Sequence, residues 1–473
     1  MAATEDDCTP LNTLSAPADD AADIQFLLDA DTAIVCLSGT FTLASPLTFN
    51  HNLTLFGLAS GELDGDDLTG ILTGTAAGEL TVQNLSFING AATNGGAINV
   101  DGELFVENSQ FTNNSASATG GAISTPGFST QIEITDSTFT GNESGNAGGA
   151  VYGAGLSVAR TTFTDNNSIS GGGGALFGLS VFAIESTFTD NASRAGGAIA
   201  TLTSASFGSV VGSTFVGNSA VVFGGAVNSE GGFTSLNSTY VENTAGEKGG
   251  AVYAGYGQIA LSTFLENEAS TEILADQSDA VFVDGNGLSM DVGGNIFAGS
   301  RPNAQLGAGP DATYDDRGGN VFSTPTATEG ALGALDPSTL FSRSVTSIFG
   351  PSPVLADNGG PTETVALVSG SPAIDAIPAS TFDMAAAPLP STAEQSQALA
   401  ELLPAAADID VDQRDVARTG LADAGAYEFG DAELAATGVD ASMAGWLAGL
   451  AALMLGVGVT VARGARRPSR ITR

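Results

Sequence analysis

The sequence predicts an all-β fold, a right-handed single-stranded parallel β-helix in which each coil takes about 25 residues. Three observations predict it. An aromatic residue recurs at a nearly constant interval, a Gly-Gly-Ala tripeptide recurs in step with it, and short segments of alternating apolar and polar residues lie between the two. We also expect a capping helix before the coils and a transmembrane helix near the C-terminus.

The first repeat reads Ser-x-Phe-x-x-Asn and gives each of seven coils one aromatic residue and one turn asparagine. The pairs are Phe111 and Asn114, Phe139 and Asn142, Phe163 and Asn166, Phe188 and Asn191, Phe215 and Asn218, Tyr240 and Asn243, and Phe264 and Asn267. Successive aromatic residues are 24 to 28 positions apart. Because parallel strands lie about 4.8 Å apart, we expect the rings to stack inside the solenoid and the Asn amides to bond their neighbours.

The second repeat is Gly-Gly-Ala followed by Ile, Val or Leu, a few residues after each turn asparagine. It begins at Gly95, Gly120, Gly148, Gly173, Gly196, Gly224 and Gly249. Glycine adopts backbone conformations that are closed to other residues, so the pair predicts a tight turn. The apolar residues that follow predict the start of the next strand.

The residues before the coils have the period of an amphipathic helix. Asp19 or Asp20 precedes this segment as the expected N-cap. Its apolar stripe consists of Ala21, Ile24, Leu27 and Leu28. We interpret the segment as a helix that covers the open end of the solenoid, because an uncovered sheet edge invites aggregation.

Two cysteines, Cys8 and Cys36, flank this helix. In an exported protein we expect them to form a disulfide, which stabilises a fold by roughly 3 to 4 kcal/mol by closing a loop of this length. The alternative is a pair of buried free thiols. The first seven residues lack the basic and apolar regions of a signal peptide. We therefore expect either a true start upstream of Met1 or a signal that has been removed.

The chain is strongly acidic, with 52 Asp and Glu residues against 13 Lys and Arg residues and a formal net charge of -39. Neutralising phosphates requires Lys and Arg, so we expect no nucleic-acid partner. The charge favours solubility and attraction of cations, and adaptation to high salt is the competing explanation. We expect no required cofactor, although Ca²⁺ is compatible with the acidic composition.

Two pairs of acidic residues are weak catalytic candidates. Asp165 and Asp190 each follow their aromatic residue by two positions, as do Glu242 and Glu266. Each pair is therefore expected to lie about 5 Å apart on adjacent coils. This separation suits a retaining glycosidase or a bridging Ca²⁺. A solvated acidic turn is the interpretation that we favour.

A third acidic cluster is a weak Ca²⁺ candidate. Asp408, Asp410 and Asp412 alternate along the chain but lack the Gly and the distal Glu of an EF-hand loop, so a surface turn is favoured here as well. His51 is the only histidine. Histidine-dependent catalytic triads and imidazole metal sites are therefore excluded.

The paired repeats resemble those of chlamydial polymorphic membrane proteins and of related pectate-lyase-like β-helix proteins, over roughly residues 80 to 270. This resemblance implies the β-helix fold. Pectinolytic members need clustered Asp with a basic catalytic residue, or a set of Asp, His, Arg and Lys. The basic residues of the regular coils here are Arg160, Arg194 and Lys248. We therefore do not extend the pectinolytic site to this chain. The C-terminal autotransporter barrel of the polymorphic membrane proteins is also missing, so we do not expect their outer-membrane role here.

The C-terminal part resembles the choice-of-anchor module of surface β-helix proteins. The matching segments are Asp-Asn-Gly-Gly-Pro-Thr at 357–362, Gly-Ser-Pro-Ala-Ile-Asp at 370–375, Asp-Gln-Arg at 412–414 and Asp-Ala-Gly-Ala-Tyr-Glu-Phe at 423–429. An insertion at 376–408 interrupts their usual compact spacing. The resemblance implies a module that caps the β-helix and precedes an anchor.

The predicted anchor has three parts. Its sorting motif is Leu434, Ala435, Ala436, Thr437 and Gly438. An apolar run at 443–462 and an arginine-rich tail at 463–473 follow it. Twenty helical residues span about 30 Å, which is one bilayer crossing with the arginines on the cytoplasmic side. This order resembles a sortase signal of the Leu-Ala-x-Thr-Gly type.

The sortase resemblance implies cleavage between Thr437 and Gly438 by sortase and covalent attachment of Thr437 to peptidoglycan. The alternative is a permanent single-pass membrane anchor. The predicted organisation is an N-terminal cap with its helix (1–32), the parallel β-helix (33–300), C-terminal coils with the choice-of-anchor-like module and its insertion (301–430), the sorting motif and linker (431–442), the transmembrane helix (443–462) and the cytoplasmic tail (463–473).

We therefore expect an exported, cell-wall-anchored surface protein, a non-catalytic β-helical rod for adhesion or for binding a glycan or a surface protein. The alternative is a wall-attached polysaccharide lyase or glycoside hydrolase that acts on one coil face. A groove that combined the acidic pairs with Arg160 or Arg194 and with exposed aromatic residues would favour the enzyme. A featureless polar face would favour the rod.

Overall fold

The computed structural model is a parallel β-solenoid. It describes residues 4–377 except 17, 19, 75–77, 128–129, 202, 270–277, 285–287, 301–303, 324–335, 337 and 342, together with 412–414 and 422–429. The sorting motif, the predicted transmembrane helix and tail, Asp408, Asp410 and the insertion from residue 378 onwards lie outside the described residues. Among the residues that are described, no helix is long and apolar enough to cross a membrane.

Three parallel sheets, A, B and C, run along the solenoid. Every turn contributes one strand to sheet B, whose twelve strands correspond to about twelve turns. The predicted parallel β-solenoid with about 25 residues in each turn is therefore confirmed. The strands of sheet B are Thr40–Thr42, Glu62–Asp64, Ser86–Ile88, Gln110–Thr112, Thr138–Thr140, Thr162–Thr164, Thr187–Thr189, Thr214–Val216, Thr239–Val241, Thr263–Leu265, Ile296–Ala298 and Val321–Phe322.

Sheet A takes two strands from most turns, and sheet C takes one from each of eight turns. The strands of sheet A are Thr13–Ser15, Ile34–Ser38, Leu47–Phe49, Leu53–Gly57, Leu72–Gly74, Leu80–Gln83, Ile98–Asn99, Leu104–Glu107, Ile123–Ser124, Gln131–Thr135, Val151–Tyr152, Gly155–Ala159, Leu176–Gly178, Ser180–Ile184, Ile199–Thr201, Phe207–Val211, Val227–Leu236, Val252–Ala260, Val281–Val283, Ser289–Gly293, Leu306–Ala308 and Thr313–Asp316. The strands of sheet C are Ala91–Asn94, Ser115–Thr119, Glu143–Ser144, Asn167–Ser168, Ala192–Ala195, Ser219–Phe223, Thr244–Ala245 and Glu268–Ala269.

The strand register places equivalent residues of successive turns opposite each other. Phe111 pairs with Phe139 in sheet B, and Ile123 pairs with Val151 in sheet A. The inward-facing residues of one turn therefore lie directly on those of the next, and a single apolar core extends along the interior of the solenoid. This continuous burial of apolar surface is the main stabilising contribution to such a fold.

The Gly-Gly-Ala repeat forms the turn that leads back into sheet A. Gly120 has a φ of +62°, in the left-handed region that favours glycine. A Cβ atom on Gly121 would lie 2.1 Å from the carbonyl oxygen of Gly149 in the next turn. The first glycine is therefore needed for its backbone conformation, and the second because the backbones of adjacent turns approach too closely for a side chain.

The N-terminal helix spans Ala21–Asp29, where the sequence predicts it. The Asp20 carboxylate accepts hydrogen bonds from the first turn, and Ile24 and Leu28 enter the core of the solenoid. Its role as an end cap remains a prediction. A 3₁₀ turn at Glu5–Asp7 precedes it, and the Cys8–Cys36 disulfide is present, with Cα atoms 5.8 Å apart.

The described residues from 343 onwards pack against the outer face of sheet B. We call residues 343–377, 412–414 and 422–429 the C-terminal module. It contains a helix, Val345–Phe349, and an antiparallel pair of short strands, Leu355–Ala356 and Thr364–Val365. Its apolar side chains form a second core with outward-facing residues of sheet B. These sheet residues are Val241, Leu265, Ile296, Ala298 and Val321.

Candidate functional site

The repeated aromatic residues form one continuous stack inside the solenoid. Ring centroids of successive members lie 4.6 to 5.1 Å apart from Phe87 to Phe341. The stack contains every predicted member and continues beyond Phe264 through Phe297 and Phe322. Most of these rings are completely buried. They are therefore structural residues and are not available to a ligand.

The repeated asparagines form a buried hydrogen-bond ladder beside this stack. The Asn191 amide nitrogen donates to the carbonyl of Phe163 at 2.9 Å and to Oδ1 of Asn218 at 3.0 Å. Its Oδ1 accepts hydrogen bonds from the backbone and the side chain of Asn166. The same pattern recurs from Asn114 to Asn243, so each of these amides bonds both neighbouring turns.

The ladder changes position near its C-terminal end, which the sequence pattern did not reveal. Asn295 and Asn320 occupy the place before the aromatic residue that Ser262 occupies in the preceding turn. Oδ1 of Asn295 accepts from the backbone of Ser262 at 2.9 Å, and its amide donates to Oδ1 of Asn320 at 3.1 Å. The coils therefore continue past the last predicted repeat because a second asparagine ladder replaces the first.

The four acidic candidates lie in the turns between sheets B and C. Asp165 stands opposite Asp190, and Glu242 stands opposite Glu266, on adjacent turns. All four have φ between 52° and 55°, which marks a tight turn. Glu266 accepts hydrogen bonds from the backbone and the hydroxyl of Ser300, and the other three are exposed. This geometry fits solvated turn residues.

Asp412 lies in the C-terminal module, where it bonds to protein groups. Its carboxylate forms an ion pair with Arg414 at 2.6 Å and accepts a hydrogen bond from the backbone of Glu428 at 2.8 Å. The Arg414 guanidinium also lies 3.7 Å from the centre of the Tyr427 ring. Both members of the ion pair are buried. Across the described residues, no cluster of His, Cys, Asp or Glu could hold a metal ion.

Gln413 joins the C-terminal module to sheet B. Its amide donates to the hydroxyls of Thr214 at 2.9 Å and Thr362 at 2.6 Å, and its Oε1 accepts from the hydroxyl of Thr239 at 2.7 Å. The backbone of Ala426 adds a hydrogen bond to the hydroxyl of Thr263. The segments that resemble a choice-of-anchor module therefore converge on the outer face of sheet B.

A groove lies on sheet A at two consecutive turns in which a single long strand replaces the usual two sheet A strands. Most turns bend between their two sheet A strands, but Val227–Leu236 and Val252–Ala260 each run through this position as one strand. Ser204 of the preceding turn lines one side of the groove, and Asp284 and Leu288 of the following turn line the other. These two turns are three coil intervals apart, or ~14 Å between backbones.

The groove has a volume of about 270 Å³ and a mixed aromatic and acidic lining. Phe223, Tyr253 and Tyr256 supply aromatic surface, and Glu230 and Asp284 supply exposed carboxylates. We call these residues, together with Asn228, the lateral groove. Aromatic rings beside hydrogen-bond acceptors are the kind of lining that holds and orients a small polar ligand.

Two residues of the lateral groove are in unusual environments. Asn228 is only 6% exposed, and its Oδ1 has no hydrogen-bond partner among the described residues. A buried polar atom of this kind needs an explanation, and a ligand group is one. Burial, together with a hydrogen bond to Asp284 and the negative charge of Glu230, raises the pKa of Tyr253. The Tyr253 hydroxyl therefore keeps its proton and donates it in a hydrogen bond to Asp284.

The basic residues of the coils do not line the lateral groove. Arg160 forms two hydrogen bonds of 2.7 Å with the Asp136 carboxylate, and these raise the pKa of Arg160. Arg194 is exposed in sheet C, and Lys248 lies 4.4 Å from the centre of the Phe282 ring. The lateral groove thus combines aromatic residues with Glu230 and Asp284, and not with the predicted acidic pairs, Arg160 or Arg194.

Sequence reasoning did not predict the lateral groove. The available signal is the short spacing between the two strand halves, which Ser229-Glu230-Gly231-Gly232 and Ala254-Gly255-Tyr256-Gly257 join without a loop. In neighbouring turns about five residues separate the equivalent strands. Counting the residues between the two predicted sheet A strands of each turn would therefore have located these two turns.

The repeats are similar to those of a known family. The model of the Chlamydia polymorphic membrane protein repeat matches residues 108–126 and 136–154, which belong to two successive turns. A search of curated proteins gave no match.

Among solved structures, a mutant of the PL6 family alginate lyase AlyGC is similar, with 12% sequence identity and a TM-score of 0.37. The similarity covers 76% of this chain and 56% of the lyase chain. The chain is a β-solenoid in which two segments match the Chlamydia polymorphic membrane protein repeat.

Proposed function

We propose that this chain is an exported surface protein, a non-catalytic β-solenoid rod that binds a glycan or a partner protein and is attached to the cell wall through its C-terminal segment. The polymorphic membrane protein repeats support a surface location. The Cys8–Cys36 disulfide also supports export, because disulfides persist in oxidising compartments.

The lateral groove is the observation that carries the binding function. It has aromatic surface for stacking and carboxylates that accept hydrogen bonds, and both lie on a rigid sheet. Its tyrosine with the raised pKa, Tyr253, is a poor general base at neutral pH because it keeps its proton. These properties favour holding a ligand over abstracting a proton from it.

The groove carboxylates favour a second candidate, a glycoside hydrolase that uses Glu230 and Asp284 as its acid and base. A glycan array followed by analysis of the bound glycans separates the two functions. We expect retention of one or more glycans without new reducing ends or unsaturated products. Cleavage that is lost in both Glu230→Gln and Asp284→Asn would establish the hydrolase.

The wall attachment is proposed from the order of sorting motif, apolar run and basic tail. Mass spectrometry of protein released from the wall by a peptidoglycan hydrolase tests it. We expect Thr437 as the last residue, carrying a wall peptide. Mature protein that retains the arginine-rich tail would reject sortase processing and establish a permanent membrane anchor.

A further inference from the structure

The geometry points to an amino sugar with a protonated amine as the ligand of the lateral groove, held by the Tyr256 ring and the carboxylates of Glu230 and Asp284. This inference rests on the proposed binding function and specifies the ligand class. It follows from the shape of the groove, the charge of its lining and the unpartnered amide oxygen of Asn228 in its floor.

The shape of the groove suits a short segment of a saccharide chain. Its floor consists of the continuous strands Val227–Leu236 and Val252–Ala260, and its sides are lined by Ser204 on one and by Asp284 and Leu288 on the other. The groove therefore runs along the strands and across the long axis of the rod. Its volume of about 270 Å³ is slightly below the usual range for drug-sized ligands, which begins near 300 Å³, so it accommodates only a small unit.

The lining provides two contacts that a sugar ring requires. Tyr256 is half-buried at the floor, so part of its ring is open to the groove and gives an apolar surface for the C–H face of a pyranose. Glu230 and Asp284 are exposed and acidic, and each carboxylate accepts hydrogen bonds from hydroxyl groups. Charge-assisted hydrogen bonds of this type are stronger than neutral ones.

The charge of the lining selects a cationic sugar over a neutral or acidic one. Two carboxylates face the groove, and none of its described lining residues is basic. An ammonium group that is held between them gains Coulomb energy in a partly desolvated site. The carboxylates of a uronic acid would instead be repelled, and the net charge of -39 on the whole chain adds to that repulsion.

The unpartnered Oδ1 of Asn228 is a second, independent observation that favours a polar ligand at the floor of the groove. Its side chain is more than nine-tenths buried next to Tyr253, yet its Oδ1 has no partner among the described residues. The cost of such a buried acceptor is recovered when a donor reaches it. The ammonium or a hydroxyl group of the sugar is a donor of the required kind.

Isothermal titration of the full-length protein with the glucosamine disaccharide tests the inference. We expect binding with one site per chain, and a Kd that rises at least tenfold in Tyr256→Ala and in the double variant Glu230→Gln/Asp284→Asn. Matched controls are Tyr152→Ala, an outward aromatic residue of sheet A outside the groove, and Glu103→Gln, an exposed acidic residue near the same sheet. These controls should change Kd less than twofold.

Three further probes define the ligand class. The N-acetylglucosamine disaccharide has the same ring without the charge and should bind at least tenfold more weakly, and the galacturonate disaccharide should not bind. Spermidine has the charge without the ring and should compete weakly, with no effect of Tyr256→Ala. Equal affinity for the neutral and the amino sugar, binding of the galacturonate, or spermidine competition that depends on Tyr256 would each overturn the inference.

The outcomes separate this inference from the proposed function. If the groove variants leave glucosamine binding unchanged while the protein still retains other glycans on an array, the groove assignment fails and surface binding stands. If the wild-type protein retains no glycan and no partner protein, the proposed function fails as well.

Discussion

Replacing Asn191 by alanine tests whether the asparagine ladder holds neighbouring turns together. Asn191 is fully buried and takes part in four side-chain hydrogen bonds, two as donor and two as acceptor. The Asn191→Ala variant loses all four. The backbone N–H of Asn166 then has no partner that the structure shows for it, whereas Oδ1 of Asn218 keeps the hydrogen bond from the backbone of residue 191.

The expected loss follows from these bonds. A buried N–H group without a partner costs about 1 to 3 kcal/mol, and each of the other three lost hydrogen bonds contributes about 0.5 to 1 kcal/mol net. We expect a decrease of about 2.5 to 6 kcal/mol in the free energy of unfolding of the turns around Asn191. Because solenoid turns are stabilised mainly by their nearest neighbours, the effect should remain local.

Hydrogen exchange measured by mass spectrometry, together with urea unfolding, provides the assay. The strands Thr162–Thr164 and Thr187–Thr189 should exchange about a hundredfold or more faster, while Leu53–Gly57 should not change. Asn167→Ala is the matched control, since this neighbour is only half-buried and bonds Glu143 at 3.2 Å on the surface. If Asn191→Ala and Asn167→Ala agreed within about 1 kcal/mol, the ladder would not contribute as we infer.

Three other perturbations have defined outcomes. Gly121→Ala should destabilise the fold by about 2 to 4 kcal/mol in urea unfolding, because the new Cβ would meet the backbone of the next turn at 2.1 Å. Burial raises the pKa of Tyr240, so the neutral form stabilises the fold below pH 10, and this stability is lost as the pH rises above 10. The unfolding temperature should therefore fall less steeply above pH 10 in Tyr240→Phe than in the wild-type protein. Gln413→Ala removes three buried hydrogen bonds and should accelerate hydrogen exchange at the amide of Ala426, with a loss of about 2 to 4 kcal/mol in the docking of the C-terminal module.

The solenoid could be predicted because its determinants repeat in the sequence. One turn positions the next through identical residues, so the spacing of Phe139 and Phe163 is enough to fix which strands pair. The turn glycines and the ladder asparagines follow from the same period. The turn at Asn295 lies within the predicted β-helix of 33–300, but its asparagine precedes the aromatic residue, so the Ser-x-Phe-x-x-Asn repeat does not include it.

The outward-facing residues of sheet B change from polar to apolar where the C-terminal module docks. Outward positions beside the aromatic residue are threonine at Thr138 and Thr140, both exposed, whereas Val241, Leu265 and Ile296 are buried under the module. A change from polar to apolar residues on an outer sheet face predicts a covering element. It does not identify that element, because the hydrogen bonds from Gln413 to the sheet B threonines Thr239 and Thr214 span 174 and 199 positions of the chain.

The two turns that form the floor of the lateral groove pack against the C-terminal module on their sheet B side. Their long strands, Val227–Leu236 and Val252–Ala260, continue directly into the sheet B strands Thr239–Val241 and Thr263–Leu265. These are strands that the C-terminal module covers with apolar contacts and with hydrogen bonds to their threonines. A binding site needs lining residues that hold their positions. The sheet B strands of these turns pack against the interior core on one face and against the C-terminal module on the other, which fixes the turns in place. The module therefore braces the turns that carry the groove, and loosening it through Gln413→Ala should weaken ligand binding there although Gln413 does not line the groove.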